Sequence, residues 1–232
     1  MLFFTNILAE NSKYCLLNIK NYEDPRKKKK RLIFIDPGVY ELRDAIEYSE
    51  IKLLHDLIRN DKLDYFEWIS IDYPCDMNLD QEDLFIEKSI KNNLLYEDKQ
   101  KYICTIQSKF QDFKDFKKQF EYLKPVFHYK DKIVGIGNLC RIKYPNLFTD
   151  KVFSFLRQNQ QGIAHLHFYG LSKQVIEKYL SYTRQKKLFE YYTPYPWNCV
   201  VSVDSTKWTR AVSTELKAKN HGRVSCLVPL WF

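Results

Sequence analysis

Three acids and an amide stand at the ends of apolar runs in this chain. Asp36 closes "RLIFID", Asp72 closes "FEWISID", Gln107 closes "YICTIQ" and Asp204 closes "CVVSVD". Two carboxylates facing each other across a pocket can divide labour, one attacking carbon while the other moves protons. That arrangement breaks glycosidic bonds through an oxocarbenium-like transition state. A third carboxylate and an amide can hydrogen-bond the polar edge of a flat ligand, and such a site rejects analogues that leave its buried groups unpaired. The plainer use of an acid at these positions is to cap the helix that follows. Caps account for one or two acids, but not readily for three acids and a glutamine at four strand ends, so the pattern favours a functional mouth.

For these residues to meet, the runs must be strands of one sheet with their ends along one edge. Strands are expected at "LFFTNI", "RLIFID", "FEWISID", "YICTIQ", "IVGIG", "IAHLHFYG", "CVVSVD" and "SCLVPLWF", each an apolar, β-branched or aromatic run. Helical patterns fall at about 41–59, 80–96, 110–123, 147–158, 172–189 and 205–219, and "KYCLLNIK" is expected in an early hairpin. Eight strands alternating with helices predict an α/β fold with a parallel sheet. The count suits a compact, single-domain (β/α)8 barrel of the TIM type, with a doubly wound open sheet as the main competitor. A polar or glycine residue ends successive strands at Asp36, Asp72, Gln107, Gly137 with Asn138, Tyr169 with Gly170, and Asp204, 30 to 36 residues apart. No sequence repeat accompanies that spacing, so it is architectural. Barrel active sites lie at the C-terminal mouth, built from such positions.

Composition agrees with a buried core: of 232 residues, 45% are hydrophobic and 16% aromatic, which excludes a disordered chain. No apolar run approaches the ~20 residues that span a bilayer. The opening "MLFFTNIL" lacks a basic leader. A soluble cytoplasmic protein without membrane partners is expected. Six cysteines lie far apart with no C-x-x-C, so buried reduced thiols are expected rather than disulfides or a zinc knuckle. The net charge of +8 is densest in "RKKKKR" at Arg26 to Arg31. Such a run is either a solvated face or a phosphate-binding one. Phe110, Phe113, Phe116 and Phe120, interleaved with lysines, are expected to be one side of a helix.

No H-E-x-x-H, phosphate-loop or G-x-S-x-G motif is present, and "GIGNLC" lacks the dinucleotide fingerprint. The ordered series "FIDPGVYEL", "ISIDYPC", "TIQSK", "VGIGNLCR", "HFYGLSK" and "VSVDSTKWTR" instead resembles the motif series of the queuine/archaeosine tRNA-guanine transglycosylases. It looks closest to the deazapurine DNA-modification branch, where forms like "GxGxxCRR" and "S-x-DS-x-x-W" occur. The likeness covers roughly residues 30–215. One domain is expected over 1–232, with an N-terminal strand or hairpin and basic loop over 1–30 and the motif-bearing core over about 31–215.

The resemblance implies exchange of guanine in a nucleic acid, DNA slightly favoured over tRNA, for a 7-deazaguanine base; no cofactor and no metal are expected. It implies that Asp204 is the nucleophile attacking the sugar C1′, and that Asp36 opens the motif supplying the general acid/base. Tyr40 matches the aromatic stacked on the base. Asp72 and Gln107 match the readers of the purine edge, and Gly137 with Asn138 the backbone beside them. Tyr169, with Gly170 after it, falls where the family places the other wall of the base sandwich. Arg141 and Arg210 are expected to contact phosphate, and a homodimer is compatible with the resemblance. A flipped base needs flat walls and a hydrogen-bonded edge, and the displacement needs a nucleophile beside a proton donor.

The sequence also departs from that pattern. Pro37 and Val39 stand where the tRNA enzymes favour small residues, Asn138 replaces a glycine, and Cys75 lies near a family cysteine position but is read as a buried structural thiol. Of the family's C-terminal zinc ligands only His221 and Cys226 have counterparts, and two ligands do not close a tetrahedral site; no zinc subdomain is expected. Three further readings stand beside the first: a catalytically silent homologue that binds nucleic acid or partners an active subunit, a tRNA-specific transglycosylase, and a nucleosidase in which water replaces the incoming base. His165 and His167 alternate along a strand and share a face, with His167 near the mouth. Core or surface packing is the commoner role for them and for His55, His128 and His221.

Overall fold

The computed structural model describes residues 2–4, 14–18, 32–36, 66–69, 79–95, 102–127, 133–139, 142–143, 145–180 and 197–204. Eight strands appear in chain order: β1 Leu2–Phe4, β2 Tyr14–Asn18, β3 Leu32–Asp36, β4 Phe66–Ile69, β5 Tyr102–Ile106, β6 Ile133–Ile136, β7 His165–Phe168 and β8 Val200–Asp204. They form one sheet in the order β1-β8-β7-β6-β5-β4-β3-β2, and every adjacent pair is parallel. The end strands β1 and β2 approach within 8 Å between Cα atoms. The helices are α1 Glu82–Leu95, after a 3-10 turn Leu79–Gln81, then α2 Phe113–Phe127, α3 Leu147–Asn159 and α4 Lys173–Tyr179. From β4 to β8, strands alternate with helices, the α/β architecture that the patterning implies.

Seven of the expected strands are present, β3 and β8 ending at Asp36 and Asp204 as expected and β5, β6 and β7 ending one or two residues earlier, and "SCLVPLWF" lies outside the described residues. The early hairpin is a correction. Tyr14–Asn18 pairs in parallel with β3, Tyr14 opposite Leu32 and Asn18 opposite Asp36, whereas a hairpin needs antiparallel strands. The helices expected at 41–59 and 205–219 lie outside the described residues, as does the part of 172–189 beyond Leu180.

Helix starts follow side-chain caps. Asp112 Oδ1 accepts from Lys114 N at 2.8 Å and Asp115 N at 3.0 Å, which satisfies first-turn donors and starts α2 three residues later than the periodicity implies. Asn146 Oδ1 accepts from Phe148 N and Thr149 N ahead of α3, and Ser172 Oγ from Val175 N ahead of α4. At its other end α2 runs past Pro125 to Phe127, which is fully buried; burying that ring offsets the proline's missing donor.

Strand alternation divides the sheet into two faces. Cys104, Ile106, Val134, Ile136, Leu166, Phe168, Val201 and Val203 belong to the core shared with α2, α3 and α4. Phe116 and Phe120 of α2 lie in that core, and Phe153 of α3 stacks on Phe168 at 4.9 Å and Tyr179 at 4.4 Å. The phenylalanine ladder of α2 is therefore a helix face, as its spacing implies. Strand β6 is buried on both faces, the usual condition of a parallel strand. Past the end of β4, the Asn93 side chain of α1 continues the ladder on β5: its Nδ2 donates to Thr105 O at 2.9 Å, and its Oδ1 accepts from Thr105 N at 3.2 Å. Buried backbone groups need such partners. Among the described residues no helix is long and apolar enough to cross a membrane.

Candidate active site at the strand ends

The face of β5–β8 opposite the helices carries a different chemistry. Register places Thr105, Gly135, His167 and Ser202 in one row across the four strands. One pleat further lie Gln107, Gly137, Tyr169 and position 204. The ladder persists to that level, since Gly137 N donates to Ile106 O at 3.0 Å and Tyr169 N to Ile136 O at 3.2 Å. An amide, a glycine, a phenol and an acid, expected at strand ends, thus share one edge and one row. Asp36 ends β3 at the same edge of the sheet. None of these residues caps a described helix. Asp112, Asn146 and Ser172 do that, so capping does not explain Gln107, Asn138 or Tyr169.

Two glycines shape this face. A Cβ on Gly135 would lie 2.7 Å from Tyr169 Cε2 and 2.9 Å from Ile103 Cγ2. The Tyr169 ring therefore crosses β6 at Gly135, and its hydroxyl reaches Thr105 Oγ1 on β5 at 3.2 Å. A Cβ on Gly137 would overlap the Gln107 carboxamide. The missing side chains of "GIG" make room for residues from both neighbouring strands. Gly135→Ala meets a ring and a branched side chain, so it should destabilise by about 1–3 kcal/mol. Gly137→Ala meets the end of one flexible side chain and should cost much less while displacing Gln107. Thermal unfolding of the two variants checks the contrast; equal losses would contradict it.

The segment after β5 is held from several directions. Lys109 N donates to Asp115 Oδ2 at 2.8 Å and Phe110 N to Glu82 Oε1 at 2.7 Å, while Asn138 Nδ2 donates to Ser108 O. Gln107 is 3% exposed and Asn138 5%. These anchors fix the backbone that follows Gln107 at the strand end, the support that a reader of a flat ligand edge requires.

Beneath the rim lies a histidine–serine–histidine chain. Ser202 Oγ is 2.6 Å from His165 Nε2 and 2.8 Å from His167 Nδ1. One hydroxyl proton serves one imidazole, and the oxygen accepts from the other. His167 is fully buried and meets the Tyr169 ring edge-on at 4.7 Å, so it supports the rim from one row below instead of lining the mouth. Burial, with His167 nearby, pushes His165 down to about 3. The folded state thus holds His165 neutral while the unfolded chain takes up a proton below about 6.5. The unfolded chain binds more protons in that window, so stability falls as pH drops from about 6.5 toward 3. Between pH 7.5 and 5.5 the loss should be about 1 kcal/mol, read from urea midpoints. The loss should shrink in His165→Asn; an identical loss there would contradict the assignment.

Cys104 is buried and unbridged, and Cys199 is unbridged with its thiol pushed up to about 11, mainly by burial. Asp72, Tyr40, Arg141 and Arg210 lie outside the described residues. The structure adds Thr105 and Ser202, each two residues before a strand-end candidate on the same face, and Ser108, whose carbonyl anchors Asn138. A period-two count back from Gln107 and Asp204 is the signal that could have found the first two. Compared with known proteins, the chain matches no family model, no curated protein and no solved structure.

Proposed function

We propose that this chain is a guanine transglycosylase that exchanges guanine in a nucleic acid for a 7-deazaguanine through a covalent glycosyl-enzyme. The observation that carries the reading is positional: Asp36 and Asp204 end strands of one parallel sheet at the same edge, with Gln107, Gly137 and Tyr169 in the row of position 204. The reading takes the sheet as a closed (β/α)8 barrel. The approach of β1 to β2 supports closure, and the register supports the pairing of the two acids.

The row of Asp36 continues past Ile35–Trp68 to Ile69, then through Ile103, Ile133 and His165 to Val200, four residues before Asp204. A barrel of shear eight shifts the level by about one residue per strand, hence about five over these five steps. A shift of that size toward the strand C-termini would bring Asp36 and Asp204 to one height at the C-terminal mouth, within about a residue.

In this mechanism the Asp204 carboxylate attacks C1′ of the sugar. The C1′–N9 bond breaks as the Asp36 carboxyl gives its proton to the departing guanine. The incoming 7-deazaguanine then loses its N9 proton to Asp36, and its nitrogen displaces Asp204 from C1′. Gln107 and Asp72 hold the purine edge, Tyr40 stacks on the base, and Tyr169 with Gly170 closes the other side. Arg141 and Arg210 contact phosphates, in keeping with the net charge of +8. DNA is favoured over tRNA by the "CR" form at Cys140–Arg141 and the "DSTKW" form at Asp204–Trp208.

The test is incubation of the protein with labelled guanine and either duplex DNA or tRNA. Label should enter the polymer, and DNA more than tRNA. Label in neither would overturn the proposal, and release of guanine without incorporation would favour the hydrolytic reading.

A further inference from the structure

Outside the rim, an open cleft of about 560 Å³ lies between the starts of α2 and α3. Phe113 and Lys114 line it from one helix, and Leu147, Phe148 and Lys151 from the other. Lys114, Lys117, Lys118 and Lys151 are all exposed on these helices. Among the described residues none of the four pairs with a carboxylate. The Lys151 ammonium lies 6.0 Å from the centre of the Phe113 ring, and that of Lys117 lies 5.7 Å from Phe155. The two rings meet edge-on at 5.9 Å across the helix boundary. The acids nearby are already engaged. Asp112, which also lines the cleft, accepts from Lys114 N and Asp115 N. Asp115 accepts from Lys109 N and Gln119 Nε2, and Asp150 from Lys178 Nζ. First-turn amides of both helices go to Asp112 and Asn146, so the positive charge on offer is that of the lysines. Like charges gathered this way repel, and contact with aromatic rings offsets only part of the cost.

We propose that this lysine face and its cleft bind the sugar–phosphate backbone that flanks the nucleotide held at the mouth. The proposal rests on the nucleic-acid part of the reading above and not on the exchange chemistry. Two contacts make the cleft and the rim one surface. Asn138 Nδ2 donates to Ser108 O at the strand ends, and Asn146 Nδ2 donates to Gln111 Oε1 at 3.0 Å in the cleft lining. The segments after β5 and β6 thus run as a tied pair from Gln107 and Gly137 out to the helix starts. A polymer with one nucleotide at the mouth carries its neighbouring phosphates over them. The lysines supply the counter-charge, while Leu147, 67% exposed, and the half-buried Phe113 give sugar carbons an apolar surface. Continuity with the mouth favours a nucleic acid over an acidic protein segment, which would gain nothing from it.

The experiment titrates the protein with a fluorescein-labelled, guanine-containing DNA duplex at salt between about 50 and 200 mM, read by anisotropy. In the triple variant Lys114→Ala, Lys117→Ala, Lys151→Ala, affinity should fall at least about tenfold, and the slope of log K against log salt should shrink by about two to three. The three side chains are exposed and alanine favours a helix, so the variant should fold, which circular dichroism checks. Lys88→Ala with Lys91→Ala removes two charges from α1, away from the cleft, and should leave the slope nearly unchanged. Equal losses in the two variants, or an unchanged affinity and slope in the triple variant, would overturn the proposal. So would polyglutamate that displaces the duplex as well as unlabelled DNA does, since the cleft would then suit an acidic protein segment. In label exchange, KM for the duplex should rise about tenfold in the triple variant while kcat changes little. If the lysines govern DNA binding but the wild type exchanges no guanine, the surface stands and the transglycosylase reading fails. If the wild type exchanges guanine and the triple variant matches it in affinity, slope and KM, the surface fails and that reading stands.

Discussion

Asp204→Asn should abolish incorporation of labelled guanine, lowering it by at least about a thousandfold, with the fold intact. An amide has nearly the size of a carboxylate but carries no charge and attacks C1′ poorly, so the loss should appear in kcat. Strand β8 should tolerate the change, because its place in the sheet rests on Val201 and Val203 in the core and on the pairing of its backbone with β1 and β7. Circular dichroism and the thermal midpoint separate the two quantities. A variant that folds and exchanges guanine at the wild-type rate would remove Asp204 from the mechanism. Asp36→Asn should also be severely slowed, with the deficit lessened for bases that leave without a proton.

The largest stability effect is expected at Phe120. Its ring is fully buried in α2, edge-on to Phe155 at 5.1 Å and tilted against Phe127 at 5.0 Å. Phe120→Ala removes the ring and leaves a cavity that its aromatic neighbours cannot readily fill, at about 3–5 kcal/mol. Tyr122, two residues on, is 57% exposed, and Tyr122→Ala should change stability by no more than about 0.5 kcal/mol. Urea unfolding measures both. A small effect at Phe120 would mean that α2 does not pack on the sheet as described.

These expectations depend on features that differ in how plainly they are written in the chain. The strands ending at Asp36, Gln107 and Asp204 were legible because each is an apolar run that stops at a polar residue, and burial on a parallel sheet demands such runs. The helical face of Phe113, Phe116 and Phe120 was legible from its period. Tyr14–Asn18 was not, because its partner is decided by the whole sheet: a short apolar run near another suggests a hairpin, yet its pairing with β3 is parallel and needs a crossover. Helix starts were blurred because Asp112 sits inside a periodic pattern that extends to Phe110, and only the cap geometry marks the boundary.

At the site, residue identities could be read but relations between strands could not. Nothing local announces that the Tyr169 ring crosses Gly135 to meet Thr105, or that Ser202 stands between two histidines. Those contacts follow from register, which one sequence encodes only through the side chains that the folded sheet brings together. In the sequence the two glycines of "GIG" fit no dinucleotide fingerprint; on the sheet they are the gap through which β5 and β7 reach each other.

The central claim is that Asp204 bonds to the sugar of a nucleic acid. The most direct measurement is denaturing electrophoresis of the protein after incubation with guanine-containing DNA, followed by mass spectrometry of the retarded band. The account predicts a covalent protein–DNA species with the sugar carbon on the Asp204 carboxylate, discharged by added guanine and absent in Asp204→Asn. Exchange of labelled guanine without any such species, or an adduct on another residue, would contradict it.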